Sequence, residues 1–244
     1  MNIKRDGLNI YNEFLKPEGE GPFPTVIISH GISNCAEDVR KYADFLVSSG
    51  YAACIFDFNN GGHGSRSDGE AKDMSVLTEV EDLNQVMNAV QERPDVDLKN
   101  LFLMGASQGG VVSTYAAARR PVEVKALICF YPAYVLHDDA RERMAGKKEI
   151  PESSQIMSLT VGPVYTRDAL SFDIYDEMPK YDGDVLLVHG TDDPYVPVAY
   201  SERAEKAFRR ARLVLIEGGR HGFDGEKDRQ AMAEMLDFQR KETD

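Results

Sequence analysis

A mostly parallel, twisted α/β sheet with helices on both faces is the fold this sequence predicts, and three observations predict it. Short apolar runs alternate with amphipathic stretches along the chain. One run ends in a Gly-x-Ser-x-Gly corner, Gly105-Ala106-Ser107-Gln108-Gly109. Polar, glycine-flanked residues stand where several runs stop, which is where parallel sheets hold ligands.

The elements follow in order. Leu8 to Leu15 alternates apolar and polar residues and suits an edge strand, and 17–24 is a Gly/Pro-rich turn. Thr25 to Ser29 reads as a buried strand ending in His30-Gly31-Ile32. Asn34 through Glu37 has the form of a capping box, opening an amphipathic helix that closes at Gly50. Tyr51 to Phe58 is β-rich and leads into the glycine loop Asn60 to Ser65. Val76, Val80, Leu83, Met87 and Val90 recur at helical spacing until Pro94 stops the helix. Leu101 to Met104 is a strand running into the Ser107 corner, and a helix of small residues follows. Val124 to Phe130, Val185 to Val188 and Leu213 to Ile216 are further buried strands, and Ala231 to Phe238 belongs to a closing helix. One segment breaks the rhythm. Residues 133–181 are polar, carry Pro151, Pro163 and Pro179, and show no strand pattern. An insertion that long in a compact domain is usually functional, and this one has Ile156, Leu159, Tyr165 and Phe172 to bury. The expectation is one domain over 1–244, with 133–181 as an inserted lid.

Composition narrows the function classes. The 244 residues are 42% hydrophobic and 28% charged, as in globular proteins, and carry a net charge of −13. That charge argues against nucleic acid and anionic membrane surfaces as partners. The start of the chain lacks the apolar core of a signal peptide, and no run is long enough to span a bilayer, so a cytoplasmic location is expected. Cys35, Cys54 and Cys129 are odd in number and far apart, and Cys54 and Cys129 lie within strand-like runs, so both are expected buried and reduced. With no His-x-x-His or Cys-x-x-Cys spacing, neither a metal site nor a cofactor is expected. A homodimer is compatible with the sequence.

The chemistry collects at three strand ends: Ser107 in its corner, Asp192 and Asp193 after Val188, and His221 in Gly218-Gly219-Arg220-His221-Gly222. A serine hydroxyl is a poor nucleophile until a base takes its proton, and a carboxylate then orients the imidazole and stabilises its charged form. The order Ser, Asp, His is that of the α/β-hydrolase fold. Position alone leaves Asp192 and Asp193 open. Two N–H donors are needed for the oxyanion: Gln108, directly after the nucleophile, and Ile32, in the loop after His30-Gly31. His30 and His189 are expected to shape strand ends by hydrogen bonding.

At these motifs the chain resembles the α/β-hydrolase superfamily, whose acid stands fifth in His-Gly-x-x-Asp-x-x-Val-Pro; the resemblance implies Asp193. The resemblance narrows at Phe56 to Asn59, His63-Gly64 and Met74 to Asp82. Together with Gly105 to Gly110, His189 to Asp193 and Glu217 to His221, these stretches are similar to the small bacterial cinnamoyl (feruloyl) esterases. That likeness implies a serine esterase acting on hydroxycinnamate esters, with a lid between strands six and seven over the acyl pocket. It also implies that Asp138 and Tyr165 bind the aromatic hydroxyl. The residues themselves offer Tyr131, Tyr134, Tyr165 and Phe172 for an aromatic slot, or equally for plain core. The chain departs from the pattern at Ala106, where many relatives carry histidine, in a longer loop after Asn59, and along the lid. Other short-acyl esterases, acyl-peptidases and lipid esterases share the triad motifs. A silent ligand receptor on the same scaffold is expected to lack a triad member, and none is missing here.

Overall fold

A computed structural model describes residues 1–243. Strands β1 (Ile3–Arg5) and β2 (Leu8–Ile10) pair with each other, and β3 (Asn12–Leu15), β4 (Phe23–Ser29), α1 (Ala36–Ser48) and β5 (Ala52–Phe56) follow. Next come α2 (Val76–Gln91), β6 (Val96–Ala106), α3 (Gln108–Arg119) and β7 (Ala126–Phe130). The insertion holds α4 (Leu136–Met144), β8 (Ser154–Ile156), β9 (Leu159–Val161), α5 (Pro163–Ser171) and α6 (Ile174–Glu177). The chain closes with β10 (Asp184–Gly190), α7 (Val198–Ala207), β11 (Ala211–Ile216) and α8 (Gly225–Glu242).

Seven strands form one sheet in the order β11-β10-β7-β6-β4-β5-β3, parallel throughout except for the antiparallel edge strand β3. Successive side chains of a strand point to opposite faces. Ile27, Leu101, Leu103, Leu127 and Leu187 therefore join one buried cluster with Val80, Leu83, Val111 and Val112 of α2 and α3. Val26, Ile28, Phe102, Met104 and Val188 join the other, with Tyr42 and Leu46 of α1 and Met235 of α8. Burial on both faces explains why these strands read as unbroken apolar runs.

Four expectations are corrected. The run Leu8 to Leu15 is two strands, because the carbonyl of Tyr11 accepts from the Asp57 N–H while its own N–H donates to Ser67 Oγ, which divides the run. The capping box sits one residue later than expected. Asn34 N–H is turned back to the Gly31 carbonyl, and the Asp38 carboxylate accepts from the Cys35 N–H at 2.9 Å. The insertion does contain strands, a hairpin of two three-residue pieces too short and half-exposed to leave a period in the sequence. Within the seven-stranded sheet it lies between the fifth and sixth strands in chain order, β7 and β10, because β1 and β2 pair off separately. No helix among the described residues is long and apolar enough to cross a membrane, and Cys35, Cys54 and Cys129 are free and buried.

Candidate active site

Ser107 sits between the last residue of β6 and the first of α3 with φ 55° and ψ −121°, a left-handed conformation that side chains seldom adopt. The flanking glycines make it attainable. A Cβ on Gly105 would lie 2.1 Å from the Gly109 carbonyl oxygen, and one on Gly109 would lie 2.4 Å from that of Ser29. The Ser107 backbone is pinned as well. Its N–H donates to the Phe130 carbonyl, and its carbonyl accepts from Gly110 and Ala133. The hydroxyl is thereby held over the carboxyl edge of the sheet.

His221 arrives from the loop after β11, between Gly218 and Gly222, both at positive φ. Its Nε2 lies 2.9 Å from Ser107 Oγ, and its Nδ1 lies 2.7 Å from Asp193 Oδ2. The rings of Tyr131 and Tyr195 flank the imidazole, at centroid distances of 4.9 and 5.5 Å. Asp193 has no accessible side-chain surface. Its Oδ1 accepts from the N–H groups of Tyr195 and Val196, both at 2.9 Å, and His189 Nε2 lies 3.2 Å from Oδ2. Burial alone would push this carboxyl up, but the bonds from His189, His221 and the two backbone groups hold it well below the usual carboxylate range. With the carboxylate ionised, His221 donates from Nδ1 and turns the lone pair of Nε2 toward the serine hydroxyl. Asp192, one residue away, is solvent-exposed. The structure thus joins Ser107, His221 and Asp193 in one hydrogen-bonded line and leaves Asp192 outside it.

Gln108 and Ile32 border the same cavity as Ser107. As the first residue of α3, Gln108 has an N–H with no acceptor inside the helix. The loop carrying Ile32 passes close, since a Cβ on Gly31 would lie 3.0 Å from Ser107 Cβ. His30 is buried, with Nδ1 on the Gly31 carbonyl and Nε2 facing the Phe58 N–H, and burial lowers its pKa and keeps it neutral.

Sequence reasoning missed one set of contacts altogether. The Gln108 side chain accepts from the Tyr165 hydroxyl at 2.7 Å and donates to Glu79 Oε2 at 2.8 Å. Burial pushes the Glu79 carboxyl up to about 8, against the opposing pull of the Gln108 bond and with help from the charge of Asp82. A glutamate on the buried face of α2, beside Val76, Val80 and Leu83, is the sequence signal for it.

The two residues implied for aromatic binding fare differently. Tyr165 borders the cavity. Asp138 does not: it is exposed and accepts from the Tyr200 hydroxyl. Successive helical residues are turned by about 100°, so Asp139 faces the cavity in its place. Tyr134 and Phe172 are spent elsewhere, on Thr114 Oγ1 and on the Tyr115 ring.

Two cavities meet at Ser107. One is walled by Leu136, Asp139, Arg143, Ile156 and Met157 from the insertion. The other is bounded by Asn34, Asp38, Lys41, Tyr131 and Phe223. An ester spanning the serine can lay its acyl part in one and its alcohol part in the other. No group of His, Cys, Asp or Glu among the described residues has the arrangement of a metal site.

The model of the family described as serine aminopeptidase, S33, matches residues 20–171, well over half of the chain, and that of TAP-like proteins matches 169–238. Among solved structures, ferulic acid-bound Est1E from Butyrivibrio proteoclasticus is similar at 26% identity and a TM-score of 0.90, over 99% of this chain and 98% of that one. The monoglyceride lipase of Rattus norvegicus is 30% identical over 57% of this chain and 44% of its own length. That of Mus musculus is 25% identical over 72% and 58% respectively, so the aligned part of the chain spans about half the length of these lipases.

Proposed function

The chain belongs to the family described as serine aminopeptidase, S33, within the α/β-hydrolase superfamily, and on that premise we propose that it cleaves carboxylic esters through an acyl-enzyme on Ser107. The observation that carries the reading is the line Ser107 Oγ–His221–Asp193, at 2.9 and 2.7 Å, beside the free N–H at the head of α3. Ser107 Oγ attacks the ester carbon as its proton passes to His221 Nε2. The carbonyl electron pair moves onto oxygen, where the Gln108 and Ile32 N–H groups hold the negative charge. Collapse breaks the bond to the alcohol oxygen, which takes the proton from His221. Water then attacks the acyl-enzyme with His221 again as base, and the carboxylic acid leaves. Asp193, kept ionised by its four donors, stabilises the imidazolium in both steps.

Hydroxycinnamate esters are the favoured substrates in this reading. Its supports are the likeness to a structure that binds ferulic acid and a cavity with apolar walls and polar groups at Asp139 and Tyr165. Residues 133–181 serve as the cap that shapes this cavity. A second reading, hydrolysis of monoacylglycerols, is favoured by the two lipase relatives and by Asn34, Asp38 and Lys41 on the wall of the second cavity, which suit a glycerol. Purified protein offered methyl ferulate, short and long acyl esters, monoacylglycerols and aminoacyl amides separates these readings. A burst of alcohol in the first turnover is expected, and in Ser107→Ala a loss of at least about 10³-fold in kcat. Wild-type turnover in Ser107→Ala would end the proposal.

A further inference from the structure

The cavity wall supplied by α4 holds a cation whose donors are not used. The helix starts beside the nucleophile, since the Ala133 N–H donates to the Ser107 carbonyl at 3.0 Å. Leu136, Asp139 and Arg143 are spaced three and four apart, so they share one face and all border the cavity. Arg143 Nε and Nη2 are both buried and have no hydrogen-bond partner, and no carboxylate oxygen among the described residues lies within ion-pair distance of the guanidinium. Leaving two charged N–H groups dry and unpaired is costly, and such groups are normally kept for something that binds.

Which atoms are unpaired indicates what binds. Nε and Nη2 present their N–H bonds side by side along one edge of the planar guanidinium, the edge that takes both oxygens of a carboxylate in two parallel hydrogen bonds. A phenolic hydroxyl offers a single oxygen and leaves one donor orphaned. Length can be bounded as well. Seven residues separate Leu136 from Arg143, about 10 Å along the helix, and a helical side chain leans back toward the N-terminus. An acceptor on Arg143 therefore lies on the order of 6–10 Å from the ester carbon, the reach of roughly five to eight bonds. Between the two ends the walls are Leu136, Ile156 and Met157, which suit methylenes.

We propose that this site takes acyl groups ending in a carboxylate, that is, monoesters of dicarboxylic acids of about six to nine carbons, with Arg143 as the specificity-determining residue. The inference rests on the proposed ester hydrolysis at Ser107. Both nitrogens are shielded from solvent, so binding requires the Arg143 side chain to turn them into the cavity that it borders. The titratable groups that feel the charge of the guanidinium are Asp139, one turn earlier on α4, and Tyr165 from α5. Asp139 competes with the substrate for the cation and repels its carboxylate, so its removal strengthens binding.

The test compares kcat/KM for monomethyl suberate and monomethyl adipate with methyl octanoate, methyl butyrate and methyl ferulate, on the full chain. Wild type is expected to favour the half-esters over methyl octanoate by about tenfold or more. Arg143→Gln should lower kcat/KM on the half-esters by about 10- to 100-fold relative to methyl butyrate, chiefly through KM. Arg143→Lys should fall between, having the charge without the fork, and Asp139→Asn should lower KM for the half-esters. A wild type that prefers methyl octanoate to the half-esters, or half-ester rates indifferent to Arg143→Gln, overturns the inference and leaves ester hydrolysis standing. If no ester is turned over, the ester reading fails by itself. Suberate binding to Ser107→Ala, followed by calorimetry and abolished in the Ser107→Ala, Arg143→Gln double variant, then reads the carboxylate site without catalysis; suberate heats unchanged by Arg143→Gln sink it.

Discussion

The rim of the sheet and the inserted segment are built to different standards. On the rim, Ser107 and Asp193 are held by backbone, and His221 is bonded to both of them. Ser107 is tied at both its N–H and its carbonyl, and Asp193 takes two backbone donors and two imidazoles. The insertion is made of short pieces, with Met157 exposed at the tip of a small hairpin and Arg143 holding unpaired donors. A reaction needs its groups fixed before the substrate arrives, since misplacement of about 1 Å is enough to lose a large factor in rate. Selection among acyl groups needs only a wall whose residues can be exchanged. In the proposed reaction the rim holds the chemistry and the insertion the choice, and variants in the two regions should fail in different ways.

Among changes that leave the nucleophile in place, the largest effect should come from Asp193→Asn. The amide keeps the shape but can no longer hold His221 in the tautomer that accepts from Ser107, and a loss of about 10⁴-fold in kcat is expected, with KM little changed. Steady-state kinetics on any accepted ester checks this. A loss confined to KM would mean that the rim is not the place of the chemistry. Gly109→Ala should be the next largest, and it should appear as stability. The new Cβ would lie 2.4 Å from the Ser29 carbonyl oxygen and 2.5 Å from that of His30, two backbone atoms of β4 and its end that cannot give way. A loss of about 3 kcal/mol or more in urea unfolding is expected. Unchanged stability would show that the corner is looser than these contacts allow.

The same division explains what could be read from the sequence. The rim was legible because its constraints are local. A strand that stops, a glycine that no other residue can replace and a polar residue between them leave a mark within a few positions, so Ser107 and His221 could be named before any fold was known, while the acid was narrowed to Asp192 or Asp193 and only the family resemblance pointed to Asp193. The insertion was not, because its contacts join distant positions. Asp138 and Asp139 look alike as letters, and only the roll of α4 decides which faces the cavity. The hairpin 154–161 is too short to show a period, and Arg143 looks like any surface arginine until its neighbours are counted. The bridge Glu79–Gln108–Tyr165 spans α2, α3 and α5, three elements that no sequence pattern ties together.

That bridge is one place where the two regions touch, and Glu79→Gln tests it with the smallest expected effect on activity. Glutamine keeps an oxygen able to accept from Gln108 Nε2, so the tether to Tyr165 survives and kcat should change by less than about threefold. The difference should appear in stability against pH. Burial raises the Glu79 carboxyl from its ordinary value of 4.5 to about 8 in the folded chain. Below 4.5 both states are protonated and the group costs nothing; as pH rises the unfolded chain releases its proton first, so stability falls until the folded carboxyl also ionises near 8. While one proton separates the states, the slope is about 1.4 kcal/mol per pH unit at most. Wild type should therefore lose stability between pH 5 and 8 relative to Glu79→Gln, as read by the urea midpoint across that range. Parallel curves would mean that Glu79 is ionised in the folded chain. Gln108 would then be held by a charge close to the oxyanion site, where a neutral acid helps the negative intermediate and a carboxylate would oppose it.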